Sequence, residues 1–278
     1  LGAAPPFARV FAASLAIDFG FMTTPAGIGG YAASVYCARR SGISLSAATT
    51  LTAVDQLLDL AFFTLALPIA AAGLLWSDLP PLLVRSAFGA SALTIALAIV
   101  AVVLRRRLVA WLLGDNAFVR RWPSLKRKQH HLREFGAGLK ADGRLLASGG
   151  PRWLAAICFL TAAQWLTRYG VLWAALILLG HAVPFALVLL SQSLILHAAM
   201  WTGIPSGGGS AELGLTAALL SLVPTETIAG ALLLWRIITF YVCLLAGLVA
   251  IAYLARRGHG GPAPASDGMP DRPASMPH

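Results

Sequence analysis

Five ionisable side chains lie inside otherwise apolar stretches of this 278-residue sequence: Asp55, Asp59, Arg168, Glu212 and Arg236. Removing a charge from water is costly, so such side chains usually pair with one another or face a wet cavity where they contact a ligand. We therefore treat them as candidate site residues. Gln164 joins them because it lies one helical turn before Arg168 and shares its helix face.

The spacing of these residues suggests how they pair. Asp55 and Asp59 are four positions apart, so they repel each other on one helix face and at least one needs a cationic partner or a proton. Arg236 is the expected partner of Asp55 or Asp59, and this pairing would at least lock two parts of the chain together. For Arg168 two interpretations remain: it binds a lipid phosphate, or it snorkels or pairs with Asp18.

Two segments rich in proline and glycine interrupt the apolar runs, at residues 23–30 and 203–209. Their helix-breaking residues are Pro25, Gly27 and Gly29 in the first break, and Pro205, Gly207 and Gly209 in the second. Glu212 follows the second break, where it is either a helix cap or a contact for a headgroup or cation. Free N–H groups of both breaks could bind phosphate, but no Walker motif is present.

The amino-acid composition shows which classes of protein can be excluded. Hydrophobic residues make up 58% of the chain, charged residues only 12%, and the mean hydropathy is +0.76, which excludes a soluble enzyme, a disordered protein and a disulfide scaffold. Cys37, Cys158 and Cys243 are scattered through apolar runs without metal-ligand spacing. His181 and His197 are isolated, so neither a metal site nor a cofactor is expected.

The apolar runs have the lengths of membrane segments. They cover residues 7–22, 31–40, 45–76, 84–104, 153–179, 185–203, 210–223 and 225–255. The run at 210–223 is too short to cross a bilayer comfortably. Residues 25–40 and 205–223, each of which contains a short run, are either re-entrant or spanning. The pattern predicts an all-α polytopic membrane protein of six to seven membrane segments, followed by a disordered tail at 258–278.

The two breaks match at a constant offset of 180 residues, and the runs around them match in the same order. At this offset Gln56 falls on Arg236. Repeats whose Pro/Gly-broken segments correspond are typical of transporters, and we expect an inverted pair of halves at about 7–104 and 153–257.

Residues 105–152 hold twelve of the 21 Lys and Arg residues but only three acidic ones. Because Lys and Arg mark the cytoplasmic side of membrane proteins, this basic loop is expected inside the cell, and a nucleic-acid partner is not expected. Four apolar residues of the loop fall near one helical face and predict a helix in the membrane interface: Leu132, Phe135, Leu139 and Leu146. The alternative is a solvated hairpin.

The two breaks with their following helices resemble the lysylphosphatidylglycerol synthase transmembrane region family, also called flippase-like. The similar segments are residues 24–30 with 54–59, and residues 204–212 with Arg236. The residues that fit the second family motif are Pro205, Gly207, Gly209, Glu212 and Arg236. The chain departs from many members at Gly27, Gly30 and Gln56, where Arg or Glu is common. The resemblance also implies a further span before residue 1.

This resemblance implies a membrane domain over residues 1–257, in the plasma membrane, that flips or handles a polar, phosphate-bearing lipid. The implied partners are anionic membrane lipids and an unidentified biosynthetic enzyme. Alternatives are a membrane-embedded lipid-linked transferase or a non-catalytic subunit of one. No soluble aminoacyl-transferring domain follows residue 255, so the synthase reaction itself is not expected of these residues.

Overall fold

The computed structural model describes residues 6–41, 43–76, 81–113, 137, 141, 144, 148–200 and 202–257. Over these ranges the chain is helical and contains no strand, which confirms the all-α prediction. The helices are α1 (Phe7–Thr23), α2 (Ile28–Arg40), α3 (Leu45–Gly73), α4 (Pro81–Leu113), α5 (Pro151–Leu178), α6 (Phe185–Met200), α7 (Ser210–Leu219), α8 (Thr225–Arg236) and α9 (Val242–Arg257).

Two helical stretches of the described chain are long and apolar enough to cross a membrane, Leu45–Trp76 and Thr225–Arg256. The first is α3 with a short 3-10 turn, and it continues through Pro68. The second joins α8 to α9 through a π-helical segment, Ile237–Tyr241, that begins directly after Arg236. Such π segments add a residue to one turn and often mark functional positions.

The helix α4 is longer than the sequence pattern predicts. The apolar span was expected to stop at residue 104, before three consecutive arginines, but α4 continues to Leu113. Arginine is a good helix former, so a cluster of arginines ends the apolar surface without ending the helix. Most of the basic loop, the predicted interfacial helix and the tail at 258–278 lie outside the described residues.

The largest hydrophobic core joins α3 to helices of the second half. Large buried side chains of this core come from α3, α5, α6, α7 and α8, and they include Leu67, Tyr169, Leu172, Leu176, Leu190, Leu215 and Ile228. Within this core the side-chain Nε2 of Gln192 donates to the carbonyl oxygen of Tyr169 at 2.9 Å. The core therefore fixes α3 against the helices that carry the second break.

Small residues allow α1 to approach both α2 and α9 closely. A Cβ at Gly247 would lie 2.6 Å from the Cβ of Phe19, and one at Gly20 would lie 2.8 Å from the backbone of Gly29. Distances below 3.0 Å do not occur between real Cβ atoms and their neighbours, so a larger side chain would push these helices apart. This packing ties the beginning of the first half to the end of the second.

Candidate functional site

The second break is a tight left-handed turn between α6 and α7. Pro205–Gly207 form one 3-10 turn, in which Ser206 has φ 54° and Gly207 has φ 62°. A Cβ at Gly207 would also lie 2.6 Å from the Cβ of Ala199, so this position requires glycine for its backbone and for its surroundings. Ser210 begins α7 and donates through its hydroxyl to the Gly207 carbonyl at 2.9 Å.

The break places Glu212 in the first turn of α7. One carboxylate oxygen, Oε2, accepts the backbone N–H of Gly209 at 2.8 Å. The predicted capping role of Glu212 is therefore confirmed, and its negative charge lies at the positive end of the helix dipole. The other oxygen, Oε1, accepts from Nε of Arg236, so the same carboxylate joins the break to α8.

Arg236 is the last residue of α8, and its guanidinium contacts four groups. Besides its ion pair with Glu212, its Nη1 and Nη2 lie 3.4 and 3.5 Å from the Ser206 carbonyl oxygen. The guanidinium carbon lies 4.8 Å from the ring centre of Trp235 and 5.6 Å from that of Phe240. Within the described part of the chain, Nη1 and Nη2 make only these two long contacts with Ser206, so the guanidinium retains donor capacity for a further acceptor.

A cavity of about 390 Å³ opens beside this ion pair, and we call it the Arg236 cavity. The Arg236 side chain is 12% exposed and that of Glu212 is 31% exposed, so the pair is neither sealed in the core nor free in solvent. The residues that line it are Glu212, Thr216, Ala229, Leu232, Leu233, Arg236 and Tyr241. An apolar wall around one charged pair suits an amphipathic ligand.

The first break forms the same kind of turn. Pro25–Gly27 are a 3-10 turn in which Ala26 has φ 52° and Gly27 has φ 70°. The Thr24 hydroxyl oxygen accepts the Gly29 N–H at 2.8 Å and so satisfies a backbone donor in the first turn of α2. The two turns contact each other, so the two breaks are adjacent in the fold.

A hydrogen bond links α2 to α3 behind the first break. The Tyr31 hydroxyl donates to Oε1 of Gln56 at 2.9 Å. At the offset of 180 residues Gln56 corresponds to Arg236, and Tyr31 corresponds to the neighbour of Glu212. Each break is therefore followed by a short helix that is tied through a side chain to the next long helix. The tie is neutral after the first break and ionic after the second.

The sequence model of the lysylphosphatidylglycerol synthase transmembrane region family matches residues 1–247. The chain belongs to this family. No curated protein and no solved structure matches the sequence. Family membership, together with the two long apolar helices, identifies the chain as an integral membrane protein with a lipid-related role.

The predicted ion pair of Arg236 is wrong. Arg236 was expected to pair with Asp55 or Asp59, but its carboxylate partner is Glu212. The reason is geometric, because α7 folds back beside α8 and brings Glu212 to the guanidinium within the same half. Asp59 accepts instead from the indole Nε1 of Trp165 at 2.6 Å.

Of the other candidate residues, Asp55 and Asp59 lie on α3, and Gln164 and Arg168 lie on α5. The Arg168 guanidinium lies 5.8 Å from the ring centre of Trp165 and forms no close ion pair among the described residues. Gln164 is exposed and makes no hydrogen bond in the described part of the chain. Neither Gln164 nor Arg168 lines the Arg236 cavity.

Sequence reasoning missed three contributors: Ser206, Trp165 and Tyr31. Ser206 acts through its backbone carbonyl, which no side-chain pattern reveals. A sequence signal for Tyr31 existed. At the offset of 180 residues Gln56 matches Arg236, so the short helix after the first break, which carries Tyr31, is the one that contacts Gln56.

Proposed function

We propose that this family member binds a polar, phosphate-bearing membrane lipid in the Arg236 cavity and moves its headgroup between leaflets. The observation that carries the proposal is a guanidinium with unused donors at the wall of an apolar cavity. Arginine presents several N–H donors in a plane and binds phosphate oxygens well, and the apolar lining would accept the adjoining parts of a lipid.

Glu212 gives this arrangement a second property. It orients the guanidinium through Nε while Nη1 and Nη2 remain near the cavity. An incoming phosphate either binds the terminal nitrogens while Glu212 stays on Nε, or displaces the carboxylate from Nε. In both cases Glu212 limits how tightly the phosphate is held, which favours release on the far side.

The two breaks support translocation rather than static binding. We propose that they belong to two inverted halves, within a fold of six to seven membrane segments. The equal backbone conformation of the turns at 25–27 and 205–207 and their mutual contact support this relation. A pair of related halves can rock about a shared site and expose it to either leaflet in turn.

The orientation is part of the same proposal. We place the chain in the plasma membrane with the basic loop 105–152 on the cytoplasmic side, because its excess of Lys and Arg follows the positive-inside rule.

The test is movement of fluorescent phospholipids in proteoliposomes. Arg236→Gln should slow movement of an anionic phospholipid by about tenfold or more, since a charge-assisted hydrogen bond contributes about 1.5–3 kcal/mol. The matched control is Arg152→Gln, at the exposed start of α5 and away from the cavity. Equal rates for Arg236→Gln and wild type would overturn the proposal.

A non-catalytic membrane subunit is the second candidate, favoured by the family's description as the transmembrane region of a synthase. In that case the same cavity would present lipid to a partner enzyme without moving it across the bilayer. Arg236→Gln would then weaken lipid binding, while wild-type protein alone would show no lipid movement in liposomes.

A further inference from the structure

One polar side chain in the lining of the Arg236 cavity takes no part in the ion pair. Tyr241 is the last residue of the π-helical segment Ile237–Tyr241, and its side chain lines the cavity. Its hydroxyl makes no hydrogen bond within the described part of the chain. The other hydroxyl of the lining, Thr216, follows Glu212 by one turn of α7 and shares a helix face with that carboxylate. Tyr241 is thus the hydroxyl on the Arg236 side of the cavity.

The π-helical segment places Tyr241 in this cavity. The α8 residues of the lining follow the spacing of one α-helical face: Ala229, Leu232, Leu233 and Arg236. In an uninterrupted α-helix this face would next include Phe240, which is four residues after Arg236. The π turn adds a residue, and the lining contains Tyr241 instead.

Arg236 and Tyr241 also contact the same aromatic ring. The ring centre of Phe240 lies 5.6 Å from the guanidinium carbon of Arg236 and 5.2 Å from the ring centre of Tyr241. Both polar side chains line one cavity of about 390 Å³, a volume typical of small ligand sites. One phosphodiester group in this cavity can therefore contact both of them.

The depth of Tyr241 in the membrane makes an unused hydroxyl costly. The apolar stretch Thr225–Arg256 has 32 residues, and Tyr241 lies near its midpoint. Tyrosine in membrane proteins is enriched at the two interfaces, where its hydroxyl reaches headgroups and water. In the middle of the bilayer a hydroxyl without a partner is unfavourable. The side chain is 53% exposed, which leaves its hydroxyl open to a bound ligand.

We propose that the hydroxyl of Tyr241 donates a hydrogen bond to an oxygen of the lipid phosphodiester that Arg236 binds. This inference rests on the proposed function and adds a second, neutral donor to the phosphate site. Nη1 and Nη2 of Arg236 and the phenolic hydroxyl then share one phosphodiester group, while Glu212 holds Nε. Tyr241 is a binding residue because the π turn brings it to the same face as Arg236.

The test is binding of dihexanoyl phosphatidylglycerol to the full chain in detergent. Tyr241→Phe removes only the hydroxyl and should weaken binding about tenfold, as expected for a hydrogen bond to a charged group. Dihexanoylglycerol, which lacks the phosphodiester, should bind equally to the variant and the wild type. Tyr36→Phe is the matched control, because Tyr36 is 59% exposed, close to the value for Tyr241, but lies on α2 outside the cavity lining.

Thermal unfolding separates a binding role of Tyr241 from a structural one. Without lipid, Tyr241→Phe should melt at the temperature of the wild type, because the hydroxyl has no partner in the described part of the chain. With dihexanoyl phosphatidylglycerol, its rise in melting temperature should be smaller than that of the wild type. A lower melting temperature without lipid, together with wild-type affinity, would overturn the inference.

A double-mutant cycle with Arg236→Gln tests whether both residues bind the same group. Once Arg236 no longer holds the phosphodiester, loss of the Tyr241 hydroxyl should matter less. The loss of binding free energy in the double variant should therefore be smaller than the sum of the two single losses. Fully additive losses would mean that the two side chains bind different parts of the ligand, and would overturn the shared phosphodiester.

Failure of the inference is distinguishable from failure of the proposed function. If Arg236→Gln weakens binding and Tyr241→Phe does not, the inference is wrong and the proposed function stands. If Tyr241→Phe weakens binding and Arg236→Gln does not, the proposed phosphate site at Arg236 is wrong. Displacement of the lipid by an equal concentration of inorganic phosphate would overturn a lipid as the ligand.

Discussion

The ion pair between Glu212 and Arg236 should couple the second break energetically to α8. We predict this coupling from a double-mutant cycle with Glu212→Gln, Arg236→Gln and the double variant. Each single variant removes the ion pair and leaves one charge beside a neutral amide. In the double variant both charges are gone, and two amides can hydrogen-bond to each other in the same place.

The magnitude follows from the contacts. A hydrogen bond between charged groups contributes about 1.5–3 kcal/mol when it is shielded from water. Here the two side chains are 12% and 31% exposed, so screening reduces the value towards its lower end. We expect a coupling free energy of about 1–2 kcal/mol. The loss of stability in the double variant should be smaller than the sum of the losses in the two single variants by this amount.

The assay is unfolding in detergent, followed by tryptophan fluorescence. Trp235 is a useful reporter because its ring lies against the Arg236 guanidinium. A coupling below about 0.5 kcal/mol would mean that the two residues act independently, and would refute the structural role of the pair. Lipid movement measured on the same variants separates the roles, because a purely structural pair predicts that the double variant regains both stability and movement.

Three further outcomes are expected. Gly207→Ala should destabilise the protein by roughly 2–4 kcal/mol, from the left-handed backbone and overpacking together. Gly180→Ala is the control, because Gly180 has φ +85° but open space around it, so only the strain of the left-handed backbone should destabilise this variant. Equal losses of stability for Gly180→Ala and Gly207→Ala in thermal melts would contradict the predicted clash with Ala199. Trp165→Phe should lower the free energy of unfolding by about 1 kcal/mol, because Asp59 loses its indole donor. Adding Asp59→Leu should restore part of this stability, and no recovery in the double variant would contradict a stabilising role of the hydrogen bond. A cysteine at Ser124 should resist labelling from outside intact cells, and efficient labelling would reverse the proposed orientation.

Much of the helix pattern could be predicted from the sequence. The apolar runs at 7–22 and 153–179 correspond to α1 and α5 within a few residues, because a membrane helix needs a long apolar stretch and little else. Both breaks were located by their prolines and glycines, which restrict or free the backbone regardless of what surrounds them. The predicted end of α4 was wrong, because a run of arginines ends an apolar surface without breaking the helix.

Glu212 and Arg236 could be selected as site residues from the sequence, because a charged side chain in an apolar run is costly unless it pairs or contacts a ligand. The sequence did not decide how they pair. The sequence pointed to Asp55 or Asp59 as the partner of Arg236, and to a helix cap or a ligand contact as the role of Glu212.

Only the tertiary structure resolved that choice, because pairing depends on which helices lie side by side rather than on residue type. Folding α7 back onto α8 satisfies Arg236 with Glu212, and packing α5 against α3 gives Asp59 its indole partner from Trp165. Residue types thus determined where charges and breaks occur, while helix packing determined which of them meet.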